Sequence, residues 1–233
     1  MSAKLRRKRK LAWMARHLVA MLLAGGVLWH GDGALAADEL MVTDPPSGNT
    51  LTVDENGGYT LNGTKYGSFP LGYQQVIYAG YDSSGTPNSS NNTLTKNGSW
   101  VGSLYGGYST YGNAIGNKVI VNSGVFGSTY PIYGGYAISG DANQNEIIIN
   151  GGTYSQSIWG GFGSSANDNT ITINAGTFEG SLMGAYGISS TSKGNTINIK
   201  GGTFNNVSFS GATSAAGSSN NNTINIDGGT ISG

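Results

Sequence analysis

Seven asparagines recur along the chain at nearly constant spacing, and each begins a short run in which apolar and polar residues alternate. They are Asn49, Asn92, Asn117, Asn145, Asn169, Asn195 and Asn222. After a first gap of 43 residues, the spacings are 25, 28, 24, 26 and 27 residues. Accidental similarity in a chain rich in Gly, Asn and Thr would not preserve both order and spacing, so the pattern indicates a repeat protein.

Each repeat begins like a β-strand that buries one face. In the fifth copy, Ile171 and Ile173 point to one side of the strand, whereas Thr170 and Thr172 point to the other. A Gly-Gly pair or a variant of it follows, which suits a turn, and then comes one large residue such as Phe178. Beyond residue 36 no segment keeps a period of 3.6 residues, so we predict an all-β chain.

One such unit cannot bury its apolar face alone, but stacked units can cover one another. We therefore predict a parallel β-helix, or solenoid, of about 6–7 coils with roughly 26 residues per coil. The recurrent asparagines would then form a ladder of side-chain hydrogen bonds from coil to coil. A β-propeller is the competing architecture, but its blades need about 40 residues and four strands, more than these units offer.

The first 36 residues have the pattern of a secretory signal peptide. A basic head (residues 4–10) precedes an apolar run (18–29), and Ala34-Leu35-Ala36 supplies the small residues of a cleavage site. The run is shorter than the roughly 20 residues of a membrane-spanning helix. We thus predict a signal peptide in 1–36, a divergent N-terminal segment with the first coil in 37–91, and β-helix repeats in 92–233, with the last coil incomplete.

The repeats, with segments such as NTITINAGTF followed by LMGAYG, resemble the passenger region of bacterial autotransporters of the adhesin-like or haemagglutinin-like kind. The resemblance implies a right-handed coil, export from a Gram-negative-type bacterium, and display at the cell surface or outer membrane, or release outside the cell. It also implies a C-terminal β-barrel, of which the sequence has no sign. Contact with a membrane is therefore expected only through that missing barrel, and an inactive remnant of a truncated autotransporter is one alternative.

The composition of residues 37–233 disfavours most chemistry. This part of the chain has no His, Cys or Arg, and its five lysines face eleven acids, a net charge of −6. A serine triad needs His, and nucleic acid is disfavoured by the negative charge. We expect no catalytic residue, cofactor or metal, and no nucleic-acid partner. The alternative is a polysaccharide hydrolase or lyase, for which Asp168 and Glu179 are the candidate pair of carboxylates.

Two further columns of mostly aromatic residues follow from aligning the second segment of each repeat. The first column holds Tyr78, Tyr105, Tyr133, Trp159, Met183 and Phe209, and the second holds Tyr81, Tyr108, Tyr136, Phe162 and Tyr186. Residues three apart in a strand face opposite ways, unless the intervening Gly-Gly pair makes a turn. Either one column is exposed and forms a ligand-binding aromatic row, with Tyr105, Tyr133 and Trp159 as candidates, or both columns belong to the core.

Together these features predict a non-enzymatic, adhesin-type β-helix passenger fragment that binds a surface glycan or a host protein. End-to-end self-association is expected from strand edges at the ends of the stack. Lys96 is the exception in an inward column of aliphatic residues. Because a buried amine without partners is unfavourable, we expect a shortened strand there, with the amine in solvent.

Overall fold

The computed structural model describes residues 27–30, 39–43, 45–68, 76–83, 88–127 and 130–233, and for 27–30 and 68 the backbone only. These residues form 26 β-strands and no helix. In chain order the strands are Val27–His30 (β1), Glu39–Val42 (β2), Thr50–Val53 (β3), Gly58–Leu61 (β4), Thr64–Ser68 (β5), Val76–Tyr78 (β6), Tyr81–Asp82 (β7), Ser89–Ser90 (β8), Thr93–Lys96 (β9), Leu104–Ser109 (β10), Ala114–Ile115 (β11), Lys118–Val121 (β12), Val125–Phe126 (β13), Ile132–Ala137 (β14), Glu146–Ile149 (β15), Thr153–Tyr154 (β16), Ile158–Gly163 (β17), Thr170–Ile173 (β18), Thr177–Phe178 (β19), Leu182–Gly187 (β20), Thr196–Ile199 (β21), Thr203–Asn205 (β22), Phe209–Ser210 (β23), Thr213–Ser214 (β24), Thr223–Ile226 (β25) and Thr230–Ser232 (β26). The predicted signal peptide, apart from 27–30, lies outside the described residues.

The strands stack into a β-solenoid of about six turns with a spacing of about 27 residues, which confirms the predicted fold class. Sheet A runs in the order β1-β2-β6-β10-β14-β17-β20-β23, with β7 and β24 at its side. Sheet B runs β25-β21-β18-β15-β12-β9-β3-β4-β5, and the shorter sheet C runs β13-β16-β19-β22-β26. Each coil visits A, B and C in turn and pairs in parallel with the next coil.

The core is a set of side-chain columns that run along the solenoid axis. In sheet B, Ile171 and Ile173 are fully buried, as are their counterparts in the coils on either side. Sheet C contributes a column of stacked rings, in which Phe178 lies 4.9 Å from both Tyr154 and Phe204 between ring centroids. Burying one such aliphatic or aromatic side chain contributes about 1.5–3 kcal/mol, so the repeated columns supply most of the stabilisation.

The seven recurrent asparagines form a continuous, largely buried ladder, as predicted. In the first six, the amide nitrogen donates to the side-chain oxygen of the next asparagine, over distances from 2.9 to 3.2 Å. The same oxygen also accepts the preceding asparagine's backbone N–H, as Asn169 does from Asn145 at 2.9 Å. The second amide hydrogen of Asn145 goes to the carbonyl of Ala114 at 3.0 Å. Every hydrogen-bonding site of an inner ladder amide is therefore used.

The residue before each ladder asparagine has a left-handed backbone conformation. These seven corner residues, with φ between 54° and 76°, are Gly48, Asn91, Gly116, Gln144, Asp168, Gly194 and Asn221. Gly and Asn adopt this conformation readily, whereas Gln144 does so at a strain of roughly 1 kcal/mol. The corner turns the chain into sheet B and places the next side chain inside the coil.

Antiparallel strands cover one edge of the two large sheets. Strand β1 pairs antiparallel with β2 in sheet A, and the hairpin β4–β5 adds antiparallel to β3 in sheet B. This hairpin lies between the first two ladder asparagines and accounts for their spacing of 43 residues. At the other edge, Ile224, Ile226 and Ile231 are 38%, 53% and 50% exposed, although they continue columns that are buried in the preceding coils.

Lys96 lies inside the coil, so the predicted shortened strand and solvent-exposed amine are wrong. Strand β9 has its full length and is paired on both sides. The ammonium group donates to the carbonyls of Asp54 at 3.2 Å, Gly98 at 3.3 Å and Asn97, and it lies 5.5 Å from the Trp100 ring centroid. Burial lowers the pKa of Lys96 from 10.5 to about 8. Carbonyl oxygens and an aromatic face replace the water that the amine loses.

Candidate functional site

The two aromatic columns predicted from the sequence both lie on the outer surface of sheet A. In each of β10, β14, β17 and β20 the second and fifth residues are partly exposed, and the other four are buried. In β14 these outward residues are Tyr133 and Tyr136. The pairing register passes from Tyr133 to Gly135 and leaves out Gly134, so the strand has a local irregularity at the Gly-Gly pair. An irregularity of this kind brings residues three apart to one face.

The Asn ladder explains why glycines stand between the two columns. A Cβ atom at Gly107 would overlap the side-chain amide of Asn117, and one at Gly106 would lie 2.5 Å from the carbonyl oxygen of Gly134. The strand of sheet A therefore passes directly over the ladder. Hydrogen bonds inside the coil thus fix the backbone that holds Tyr105 and Tyr108 outside.

Both predictions for the aromatic columns are wrong in part. Both columns face outward, and neither belongs to the core as a whole, although Tyr78 is buried. Phe209 is not in the first column, because it pairs with Leu182 and not with Met183, and it packs against the core ring of Phe204. Tyr105, Tyr133 and Trp159 lie side by side in neighbouring strands of sheet A, each half-buried. Their role in ligand binding remains a prediction.

Rings within each column stack from coil to coil. In the first column Tyr105 lies 4.8 Å from Tyr78 and 5.0 Å from Tyr133, with interplanar angles of 18° and 12°. In the second column Tyr136 lies 5.3 Å from Tyr108 and 4.6 Å from Phe162, with angles of 2° and 5°. Offset stacking at these distances is favourable, by about 0.5–1.5 kcal/mol per pair.

Rings of different columns meet edge to face. Tyr105 and Tyr108 are 5.6 Å apart at 88°, and Tyr133 and Tyr136 are 5.0 Å apart at 78°. Because coils repeat at about 4.8 Å while carbon atoms in contact lie about 3.5 Å apart, the rings must tilt by about 45° from the plane of the coil. Opposite tilts in the two columns account for the near-perpendicular contacts. We call this arrangement the aromatic double ladder.

The first column lies deeper than the second. Burial raises the pKa of Tyr105 to about 12, partly offset by a hydrogen bond with Ser103. Burial also raises the pKa of Tyr133 and, to a smaller extent, those of Tyr108 and Tyr136. The second column is therefore the more accessible part of the double ladder.

The regular stacking is interrupted at Trp159. Its indole is tilted by 59° against Tyr133 and by 42° against Tyr186, with ring centroids 5.8 and 5.9 Å apart. Its indole nitrogen is buried and has no hydrogen-bond partner. Met183 follows in the same column, so stacking of the first column ends here and only the second column continues to Tyr186.

Two isoleucines that the sequence reasoning missed extend the apolar surface. Ile138 and Ile188, which are 44% and 37% exposed, each stand two residues beyond a second-column ring, Tyr136 and Tyr186. The sequence could have revealed these isoleucines, because residues i and i+2 of a strand lie on the same face and each isoleucine follows a second-column ring by two positions.

The acidic residues considered for catalysis have structural contacts. Asp168 is a corner residue, and the Glu179 carboxylate accepts a hydrogen bond from Ser155 at 3.1 Å. Asp54, which is not one of that pair, also has a structural role, since it accepts from the backbone N–H groups of Asn56 and Gly58 in the turn between β3 and β4. Within the described ranges, His, Asp and Glu do not gather in groups of three that would hold a metal ion.

The arrangement on sheet A defines a β-solenoid with an outward aromatic double ladder. The chain matches no family model, no curated protein and no solved structure. No helix of a length and apolarity that would cross a bilayer occurs in the described part of the chain.

Proposed function

We propose that the protein is an exported, non-enzymatic, adhesin-type β-helix passenger that binds a surface ligand through its aromatic double ladder. The signal-like residues 1–36 support export, and the resemblance of the repeats to autotransporter passengers supports display at, or release from, the surface of a Gram-negative-type bacterium. The ligand is a glycan or a protein of the surface to which the cell adheres.

The single observation that carries this proposal is the outward aromatic surface itself. Large aromatic side chains are normally buried or held at interfaces. Here ten ladder positions, from Tyr78 and Tyr81 to Met183 and Tyr186, form a continuous strip across five coils, in which Tyr78 is buried and the others are partly exposed. Amphipathic rings held in such a strip suit a binding surface, because they give contact area at low entropy cost.

Rigidity is the second argument for binding. The rings stack within each column and meet edge to face between columns, and the strands beneath them are fixed by the Asn ladder. Ring positions are therefore largely set before a ligand arrives. Preorganised aromatic side chains lose little entropy on binding, which raises affinity.

The test is a comparison of binding by matched tyrosine variants. We expect Tyr136→Ala and Trp159→Ala to reduce binding of the purified chain to bacterial or host cell surfaces by about tenfold each, about 1.4 kcal/mol. Tyr111→Ala is the control, because Tyr111 is 67% exposed but lies in the loop after β10, outside the double ladder. Circular dichroism checks that each variant keeps its β-structure.

Unchanged binding by both ladder variants would refute the proposed surface. Release of soluble sugar fragments from a polysaccharide incubated with the chain would refute the non-enzymatic reading and favour the carbohydrate-active alternative. Absence of binding to every surface tested would favour an inactive remnant.

A further inference from the structure

We infer that the double ladder binds a neutral, extended polysaccharide of equatorially linked hexopyranose residues, which lies parallel to the solenoid axis with one sugar per coil. This inference rests on the proposed function and assigns the chemistry of its ligand. It follows from three properties of the double ladder: its repeat distance, its area and its lack of charge.

The repeat distance of the ladder matches a sugar chain better than a peptide. Along the second column the ring centroids are separated by 5.1, 5.3, 4.6 and 5.5 Å from Tyr81 to Tyr186. With C–C bonds of about 1.5 Å, one pyranose in an extended equatorially linked chain advances by about 5 Å. In an extended peptide, side chains on one face repeat at roughly 6.7 Å, and in polyproline II a turn takes about 9 Å. A peptide would therefore fall out of register within two or three coils.

The area of the ladder is too small for a stable folded partner. Five coils at about 4.8 Å give a length of about 24 Å, and two columns of rings whose centroids are 5.0 to 5.8 Å apart give a width of about 10 Å with their van der Waals margins. The strip thus covers about 250 Å², whereas a stable protein complex buries about 800 Å² on each partner. A narrow strip of this length suits one linear chain of about five sugar residues.

The charge of the ladder excludes an acidic polysaccharide. The four strands β10, β14, β17 and β20 contain no Asp, Glu, Lys or Arg. At the first coils of the ladder, Glu39 and Asp82 raise the pKa of Tyr81, after the larger effect of burial. With a net charge of −6 in residues 37–233 and no cation on the strip, an anionic chain would be repelled. Because the rings cover one another's faces within each column, they offer a ligand their apolar edges and phenolic hydroxyls, which match the apolar C–H groups and hydroxyls of neutral sugars.

The first test is the dependence of affinity on oligosaccharide length. We expect cello-oligosaccharides, which have equatorial links, to bind the purified chain with an affinity that rises several-fold per residue up to about five sugars and then levels off. Malto-oligosaccharides, whose axial links curve the chain, are expected to bind at least tenfold more weakly at equal length. Equal affinity for cellobiose and cellohexaose, or for cellohexaose and maltohexaose, would overturn the inference.

The second test separates the contribution of the rings from that of their hydroxyl groups. Tyr136→Phe preserves the ring, and Phe162 in the same column shows that this position accepts a phenylalanine. We expect Tyr136→Phe to weaken cellohexaose binding about threefold and Tyr136→Ala about tenfold, with Tyr111→Ala unchanged. If Tyr136→Ala folds poorly, Tyr136→Phe still tests the inference, because this substitution keeps the ring and its packing. No effect of Tyr136→Phe on cellohexaose binding would contradict the assigned contact.

The outcomes distinguish this inference from the proposed function. If cell-surface binding depends on Tyr136 while cellohexaose does not bind, the ligand assignment is wrong and the binding surface is right. If cellohexaose binds but neither Tyr136→Ala nor Trp159→Ala alters it, the sugar occupies another place and the inference is wrong. Binding of an acidic polymer such as polygalacturonate more tightly than cellohexaose would also overturn it.

Discussion

Removing one amide from the buried Asn ladder should destabilise the fold far more than removing an amide from an exposed ladder of asparagines on the surface. The buried Asn145 side chain accepts from the backbone and side-chain nitrogens of Asn117, at 3.0 and 3.1 Å. It donates to Asn169 at 2.9 Å and to the Ala114 carbonyl at 3.0 Å. Asn145→Ala therefore removes four buried hydrogen bonds at once.

The size of the effect follows from the groups left behind. The N–H of Asn117 and the carbonyl of Ala114 would lose the partners that this amide supplies, while Asn169 keeps a bond from the backbone of residue 145. A buried group without a partner destabilises by about 1–3 kcal/mol. We therefore expect Asn145→Ala to lower the free energy of unfolding by about 3–5 kcal/mol, a large part of the stability of most domains.

A matched control lies five residues further along the chain. Asn150 also belongs to a ladder, with bonds of 2.8 Å to Asn122 and 2.7 Å from Asn174, but it is exposed. Water can replace these bonds, so Asn150→Ala should change stability by less than about 1 kcal/mol. Urea unfolding followed by circular dichroism measures both midpoints. Equal shifts for the two variants would refute the argument that burial, and not ladder membership, sets the energy.

Three further predictions concern buried polar and titratable groups. Folding lowers the pKa of Lys96 from 10.5 to about 8, so the unfolded chain keeps this proton at a pH where the folded chain has lost it. The free energy of unfolding should therefore rise by about 1 kcal/mol between pH 7 and about pH 9, relative to the Lys96→Met variant. Parallel pH profiles of stability for the two proteins would contradict this. The side-chain oxygen and nitrogen of Gln156 are both buried without a hydrogen-bond partner, so Gln156→Met should raise the free energy of unfolding by about 1–3 kcal/mol. The control Gln144→Met, at an exposed corner, should change it by less than about 0.5 kcal/mol. A lower urea midpoint for Gln156→Met would show that the Gln156 amide has hydrogen-bond partners in solution. Burial raises the pKa of Tyr105 to about 12, so the folded chain keeps this proton at a pH where the unfolded chain has lost it. The free energy of unfolding should therefore fall as pH rises from 10 to 12. Alkaline denaturation of Tyr105→Phe should show a smaller loss of stability over the same pH range.

The repeat of apolar positions was sufficient to predict the solenoid and its Asn ladder. Alternation such as that of Ile171 and Ile173 assigns the inward face of sheet B directly, and the recurrent asparagine falls at one corner of every coil. Both signals are local in sequence and repeated, so an error in one copy does not disturb the others. For the same reason the column of large residues that includes Phe178 proved to be part of the core.

The aromatic site was harder to predict because its geometry depends on a contact between distant residues. Strict alternation would place Tyr133 and Tyr136 on opposite faces, and only the close approach of the Asn145 amide to Gly135 shows why the strand departs from it. The position of Lys96 likewise depends on Asp54, which lies in the preceding coil and 42 residues earlier. The Gly-Gly pair or its variant in each repeat indicates that the strand can depart from alternation, but the contact that requires it is not evident from a single repeat, and the contact of Lys96 has no signature there.

From Asn92 onward the spacing of the ladder asparagines varies between 24 and 28 residues, yet their hydrogen bonds stay between 2.9 and 3.1 Å. Surplus residues are taken up in the loops between sheets, as between β13 and β14, and the sheets keep their register. Excising residues 145–168 would join Gln144 to Asn169, so that a left-handed corner again precedes a ladder asparagine. Duplication or loss of a repeat in the gene can therefore lengthen or shorten the solenoid by one coil at a time, and the remaining coils keep their contacts.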